Sequence, residues 1–348
     1  MKKQTINVFS IALGSAAFIS SAHAIDFKIS GQVSRMIVAP DDATGDDFQH
    51  QDIGWSGSRF RITGEEVLDS GQTVGFRLEQ QLQSNPSFAS SGAGQTNGGN
   101  DDFIDNRHQE VYITGGFGKV AMGKGDGAAN GGTEVDLSGT VLSSSSNHQD
   151  NWGNYVILEG ATPEENVTWD FLFTMNDGIS RVNRLRYDSP PLSGVVLSAS
   201  LDQGNAYEIA ARYNGDIGRF KISSAIFYVD ANEFAEDAEV FGLSASVLMS
   251  SGFNATLAFS DRDNDEDQGG SDQTATTIKL GYKTGIHAFT VDYGLGDRAD
   301  IDADTFGLTY AAKLSATIES FATLRTLDSD LENSESVNLA AVGARVRF

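Results

Sequence analysis

The sequence predicts an all-β chain, a 16-stranded antiparallel transmembrane β-barrel. Three observations predict it. Apolar and polar residues alternate with period two through most of residues 25–348, the alternating segments mostly run 9–13 residues, and the connections between them alternate between short and long. Period-two alternation puts successive side chains on opposite faces of a strand. A soluble sandwich with an apolar core also alternates, but its strands are usually shorter, whereas 9–11 residues suit a tilted membrane strand. Closing the sheet removes the unpaired edges that a bilayer cannot accommodate.

The elements follow in chain order. Residues 1–24 begin with "MKK", continue through an apolar stretch diluted by Gly14 and several serines, and end on Ala22-His23-Ala24. A basic start, an apolar run and a small-x-small site predict a cleaved signal peptide, with 25–348 as the barrel. Strands are expected near 25–38, 54–66, 72–83, 107–115, 117–124, 181–188, 194–203, 205–214, 218–229, 239–250, 253–262, 274–284, 286–296, 303–313, 315–327 and 336–348. In the second, Arg59 and Arg61 alternate with Phe60 and Ile62; in the eleventh, Phe253, Ala255, Leu257 and Phe259 alternate with polar or small residues. The last strand sets Arg345 and Arg347 on one face and Val342, Ala344, Val346 and the terminal Phe348 on the other. In a membrane barrel the first set faces water in the lumen and the second faces lipid.

The short connections include "LDSGQ", "SPPLSG" and "GDIG"; the others are mostly long and acidic, such as "PDDATGDDFQHQD", "DRDNDEDQGGSD" and "DRADIDAD". An even strand number places both termini at the short-turn end. One connection, 125–180, is far longer than loops inside compact domains and predicts a structure or function of its own. Within it, 166–176 alternates over Val167, Trp169, Phe171, Phe173 and Met175. It reads as a loop segment packed on a wall, with an extra strand as the alternative.

Composition narrows the function. Asp and Glu number 48 against 24 Lys and Arg, a net charge of −24, and the chain beyond the basic leader is near −26. Phosphate would be repelled, which argues against a nucleic-acid partner. Cysteine is absent, so the fold holds without disulfides. Abundant Gly (38), scarce Pro (5) and 21 Phe favour many strands joined by tight turns.

The stretches "ISGQVSR", "GSRFRITGEEVLDSGQTVGFRLEQQ", "NRHQEVYITGGFGKVAMGKGDG", "VDLSGT" and "NRLRYDSPPLSG", with the terminal Phe348, resemble the Gram-negative trimeric porins in their proteobacterial sixteen-stranded branch of outer-membrane general porins. The resemblance implies a homotrimer of water-filled barrels embedded in outer-membrane lipid and lipopolysaccharide, passing ions and small hydrophilic solutes by passive diffusion. It implies that the third extracellular loop, 125–180, folds inward and narrows the pore. Basic residues of the early strands would face acids on that loop. The candidates are Arg59, Arg61, Arg77, Arg107, Lys124, Arg184 and Arg186 on the wall, and Glu134 and Asp136 in "TEVDLSGT". A "PEFGG"-like loop motif of the enterobacterial relatives is missing. Phe348 would be the signal read by the barrel assembly machinery.

Rival chemistries are weaker. "GKVAMGKG" at 118–125 approaches a phosphate-binding loop, but Gly125 replaces the hydroxyl and the stretch alternates as a strand. Asp261, Asp263, Asp265 and Asp267 have calcium-loop spacing, yet Glu266 sits where the turn glycine belongs. No G-x-S-x-G or H-E-x-x-H occurs, and a Ser–His pair from His148 and serines 143–146 is the one nucleophile candidate. No cofactor or metal site and no enzyme activity are expected. A substrate-selective channel for sugar, phosphate or amino acid stays open, as does a structural or adhesin barrel. Only Phe227 and Tyr112 read as lumen aromatics. Outer-loop acids opposed by pore arginines predict modest cation preference.

Overall fold

Sixteen staves close on themselves because each alternating segment finds an antiparallel neighbour and the last finds the first. The computed structural model of the chain describes residues 25–45, 48–85, 87, 104–162, 165–202, 204–231, 238–264 and 271–348. The leader 1–24 lies outside the described residues, as do 265–270 of the aspartate-rich loop. In chain order come β1 (Asp26–Asp41), β2 (Gln49–Asp52), β3 (Arg59–Val67), β4 (Thr73–Leu82), β5 (Ile104–Gly115) and β6 (Gly118–Gly125). The long connection holds α1 (Gln149–Trp152), β7 (Val156–Leu158), β8 (Val167–Thr168) and α2 (Trp169–Leu172). Then follow β9 (Val182–Asp188), β10 (Val195–Asp202), β11 (Tyr207–Ile217), β12 (Phe220–Asp230), β13 (Glu239–Met249) and β14 (Phe253–Asp263). The last five are β15 (Gln273–Thr284), β16 (His287–Arg298), β17 (Ile301–Lys313), β18 (Ile318–Ser329) and β19 (Val337–Arg347). Each stave pairs with its neighbours in sequence, and β1 pairs with β19 from Gln32–Arg347 to Asp41–Asn338.

One stave is broken. β1 pairs with β3 through Gln32 and with β2 beyond Arg35, so β2 and β3 form a single stave interrupted at 53–58. The strand expected at 54–66 therefore starts later. The interruption packs on the long loop: the Trp55 amide donates to Asn151 Oδ1 (3.1 Å), and a Cβ on Gly54 would sit 1.7 Å from the Asp150 carbonyl. Only glycine permits that approach. A second departure is the "DRADIDAD" connection. It shrinks to Ala299 and Asp300, both with positive φ, because β16 and β17 extend past it as a two-residue hairpin.

The two faces sort as their chemistry requires. Val342 and Val346 are exposed on the outer face, while Arg345 is buried inside, bonded to Ser56 Oγ (2.5 Å) and paired with Glu319. Arg347 joins the same Glu319 at 2.9 Å. At the outer rim of the short-turn end, His287 Nδ1 lies 2.8 Å from the Tyr310 hydroxyl and stacks on its ring. Phe348 caps the seam: its amide donates to the Gly31 carbonyl (3.0 Å), the Gly31 amide donates back (2.9 Å), and its ring covers Gly31.

The long connection lies against the inner wall. Its amides at Val135, Leu137 and Asn176 donate to Ser244, Ser246 and Ser260 of the facing strands. Its rings Trp152, Tyr155, Trp169 and Phe173 are fully buried with Met36, Val38, Phe321, Leu327, Val337 and Leu339 of the wall. Residues 166–176 are thus a loop segment and not a barrel strand. The helical turn at 169–172 breaks the alternation, burying Trp169 and Leu172 and leaving Phe171 exposed.

The seam offers a test. A Cβ at Gly31 would meet the Phe348 ring at 2.5 Å and the Arg59 carbonyl at 2.6 Å. Gly31→Val is expected to destabilise the closed barrel by about 1–3 kcal/mol, as overpacking does. A lower temperature for the loss of heat-modifiable migration in detergent gels would show it; an unchanged temperature would mean the seam accommodates the side chain.

Candidate functional site

Parity brings three arginines together on the inner wall, and a β-bulge adds a fourth. Arg59 and Arg61 on β3 lie opposite Gln81 and Glu79 on β4, and Arg77 shares the Glu79 face two residues earlier. Glu79 is fully buried and receives all of them: Arg77 Nη2 at 2.9 Å, Arg107 Nε at 2.9 Å, Arg59 Nη1 at 3.3 Å and Arg61 Nε at 2.6 Å. One carboxylate cannot neutralise four guanidiniums, so three positive charges stay uncompensated by it.

Arg107 reaches this cluster through an irregularity. His108, Glu110 and Tyr112 set the lumen parity of β5, which would turn Arg107 outward. A register shift between Glu79 and Gln80 pairs His108 with Glu79 and Asn106 with Gln80, skipping Arg107. Two successive residues then face inward, as a β-bulge allows. Arg107 also donates to Gln81 Oε1 (2.5 Å).

Opposite the arginines lies the long loop, and between them is a cavity of about 770 Å³. Arg59, Arg77, Arg107 and Arg181 line it with Asp126, Glu134, Asp150 and Trp55. Arg181 and Asp126, unnoticed in the sequence, lie 3.7 Å apart at the two ends of the loop. Glu134 accepts from Asn147 Nδ2 (3.0 Å) and shares a hydrogen bond with Asp177, which also accepts from the Gly131 amide (3.0 Å). Burial, then the neighbouring Asp177 charge, holds Glu134 well above the usual carboxylate range. Burial raises Asp177 as well, and burial together with Asp177 pushes Asp150 up to about 7.

The other sequence candidates go elsewhere. Lys124 sits opposite Gln109 and Asn183 on the outer face, because the lumen parity of β6 belongs to Lys119 and Ala121. It is not a pore residue. Asp136 pairs at 2.6 Å with Lys279, a buried lysine on β15, and so anchors the loop to the far wall without facing the arginines. Arg184 is buried against Glu110 and donates to the Asp126 carbonyl (2.9 Å) and the Gly123 carbonyl (3.1 Å). Arg186 pairs with Asp188 (2.9 Å) and holds the Gly127 carbonyl (2.7 Å). Both fasten the root of the loop. Phe227 is buried under Gly132 of the loop, and Phe321 is a further inward aromatic, buried in the loop core; neither offers a track to solutes.

The Ser–His pair does not form. Ser144 Oγ donates to Asp292 Oδ1 (2.5 Å), and Asp292 is paired with Arg325 at 2.7 Å. Burial, then the Arg325 charge, keeps His148 well below the ordinary histidine range. Among the described residues no three His, Asp or Glu side chains could hold a metal. The near phosphate-binding loop is strand β6.

Comparison with known proteins agrees with this architecture. A family profile described as "Gram-negative porin" matches residues 10–332. No curated protein matches. Among solved structures, an anion-selective porin from Comamonas acidovorans superposes with a TM-score of 0.62 at 18% identity, over 93% of this chain and 100% of that one. A loop-deletion mutant of OmpT, an outer membrane protein of Vibrio cholerae, gives 0.60 at 14% identity over 93% and 99%. A mutant of the Rh. blastica porin gives 0.59 at 16% identity over 93% and 100%.

Asp150 titrates at about 7, while Glu134 is held well above the usual carboxylate range. Below about pH 7 Asp150 is largely protonated, and the cavity charge is dominated by arginine. Raising the pH through 7 ionises Asp150 and shifts preference towards cations. Reversal potentials across a salt gradient at pH 5.5 and 8.5 should move in that direction, and Asp150→Asn should shrink the change. A pH-independent reversal potential would show that this carboxyl does not meet the ion path.

Proposed function

The chain belongs to the Gram-negative porin family, and from that membership we propose how its barrel selects what passes. It is an outer-membrane channel for passive diffusion. The narrowing of the pore is the cavity between the Glu79-centred arginines and the acids of the inward loop. Opposed charges across a narrow opening create a transverse field that favours polar solutes over apolar ones. Arg59, Arg77 and Arg107 supply one side, with Arg61 beside them on Glu79; Asp126, Glu134 and Asp150 supply the other.

The observation that carries the reading is four guanidiniums on one buried carboxylate. It supports anion preference at neutral and acidic pH, in place of the modest cation preference expected from the sequence. Acids in the outer loops are screened within about 8 Å at physiological ionic strength, whereas ions in the narrowing pass directly beside the arginines. A general pore fits better than a solute-selective one, because Phe227 and Phe321 are covered by the loop and, among the described residues, only Trp55 and Tyr112 are left as single, separated rings. Ser144 anchors the loop to Asp292, and the His148 ring is buried without a hydrogen bond to a serine, which supports a channel and not an enzyme. The working form is a homotrimer in lipid and lipopolysaccharide, made after removal of residues 1–24, with Phe348 read by the barrel assembly machinery.

Reconstituted in a planar bilayer, the protein should give stepwise currents in groups of three. Replacing Arg59, Arg77 and Arg107 together with Gln should shift the reversal potential towards cations; no shift would place them away from the ion path. Deleting Phe348 should lower the amount reaching the outer membrane while leaving conductance near normal after refolding in detergent. Equal membrane abundance of the truncated and full chains would remove its role as an assembly signal.

A further inference from the structure

Trp55 is out of keeping with its surroundings. Among the described residues, Trp55 and Ile104 are the only apolar side chains that line the cavity of about 770 Å³. The other side chains there are charged, amide, serine or histidine. Trp55 lies in the interruption 53–58 between β2 and β3, outside the ladder, with its amide donating to Asn151 Oδ1 of the loop (3.1 Å). Part of the side chain packs on the buried loop core. The residue is only half-buried, and what the core leaves uncovered lines the cavity.

The rest of that lining is positive charge in excess. Arg59, Arg77 and Arg107 share the one carboxylate of Glu79 and line the cavity together with Arg181. Arg77 Nε and Arg181 Nε have no hydrogen-bond partner among the described residues, so the protein does not saturate these guanidiniums. Arg181 also holds a φ of 49°, a left-handed conformation that a non-glycine residue adopts at a cost and that gathers at ligand clamps. Trp55 and Arg59 are four residues apart, so their Cα atoms lie within about 14 Å of each other, and one small solute can meet both. Across the cavity Asp126 stands 3.7 Å from Arg181. Burial holds Glu134 and Asp150 towards their neutral forms, so at pH 6 the loop acids oppose an anion less than their number suggests.

We infer that the narrowing contains a binding station for aromatic carboxylates, with the carboxylate on Arg59, Arg107 and Arg181 and the ring against Trp55. The inference rests on the reading of this cavity as an anion-preferring narrowing and adds a solute class to it. A lone ring makes no track along the pore, so general diffusion is kept. It makes one place where a planar anion lingers. Aliphatic anions meet the arginines and gain nothing from the indole, whereas neutral aromatics meet the indole and gain nothing from the arginines. Aromatic pairs add to what area burial alone supplies, and cavities of roughly 300–1,000 Å³ suit small ligands.

Chloride current through the wild type in planar bilayers, titrated at pH 6 with benzoate, cyclohexanecarboxylate, acetate and benzamide, tests this. Benzoate should reduce the current at a concentration about two- to tenfold lower than cyclohexanecarboxylate, which carries the same charge on a ring without a π face. Acetate and benzamide should act more weakly still. Trp55→Leu should bring benzoate to the level of cyclohexanecarboxylate, and Trp55→Phe should keep most of the difference, with heat-modifiable migration confirming that each variant forms a closed barrel. Equal action of benzoate and cyclohexanecarboxylate on the wild type, a benzamide effect as large as that of benzoate, or a difference that survives Trp55→Leu overturns the station. The wild-type reversal potential in a chloride gradient separates the two readings. Anion preference without a benzoate difference overturns the station alone, and cation preference without one overturns the anion-preferring narrowing as well.

Discussion

An open barrel of this sequence would expose hydrocarbon to water on its inside. Met36, Val38, Phe321, Leu327, Val337 and Leu339 point inward, where a conducting lumen should be polar. They are tolerated because the long loop lays Trp152, Tyr155, Trp169 and Phe173 over them. Each large side chain buried in this way contributes about 1.5–3 kcal/mol, so the loop is held as a hydrophobic core is held. The consequence is spatial. Filling the side of β14–β19 displaces the water path towards β3–β5, where the arginines stand.

The electrostatics follow from that displacement. Where the loop meets the filled side, charges are paired: the loop's Asp136 with Lys279, and the wall's Asp292 with Arg325, to which the loop's Ser144 bonds. Removing one partner of such a buried pair commonly costs about 3–5 kcal/mol, since the other charge is left without compensation. On the open side the charges are deliberately unbalanced, with the arginines crowded on Glu79 and the loop carboxyls crowded on one another. The pairing on one side fixes the loop so that the imbalance on the other stays in register across the gap.

The staves were legible because period-two alternation is dictated by the two solvents the sheet meets. Arg59, Arg61 and Arg77 follow from it directly. What alternation cannot show is where it slips. Arg107 faces inward only through the register shift at Gln80, and the 53–58 interruption packs on Asp150 and Asn151, with the Trp55–Asn151 bond spanning 96 residues of sequence. Lys124 falls on the outer face because it is three residues, an odd step, from inward Ala121. Asp136 was misplaced because its partner, Lys279, lies on a strand that nothing local connects to it. Trp169 and Phe173 looked like strand residues because a single helical turn is too short to leave a periodic trace. The inward apolar residues of β18 and β19 were visible as letters, but their burial depends on a loop that arrives from elsewhere.

The hydrogen-bonded meeting of Gly31 with Phe348 fixes the order of events in time. The ten residue pairs between β1 and β19 join opposite ends of the chain, so they form the least local contacts in the molecule. Loop-closure entropy must be met before such contacts return anything, which makes closure slow. The first strand therefore waits, with an unpaired edge, until the last residue has been delivered. During that interval the nascent sheet is open to pairing with other chains. Closure through Gly31 and Phe348 removes that edge.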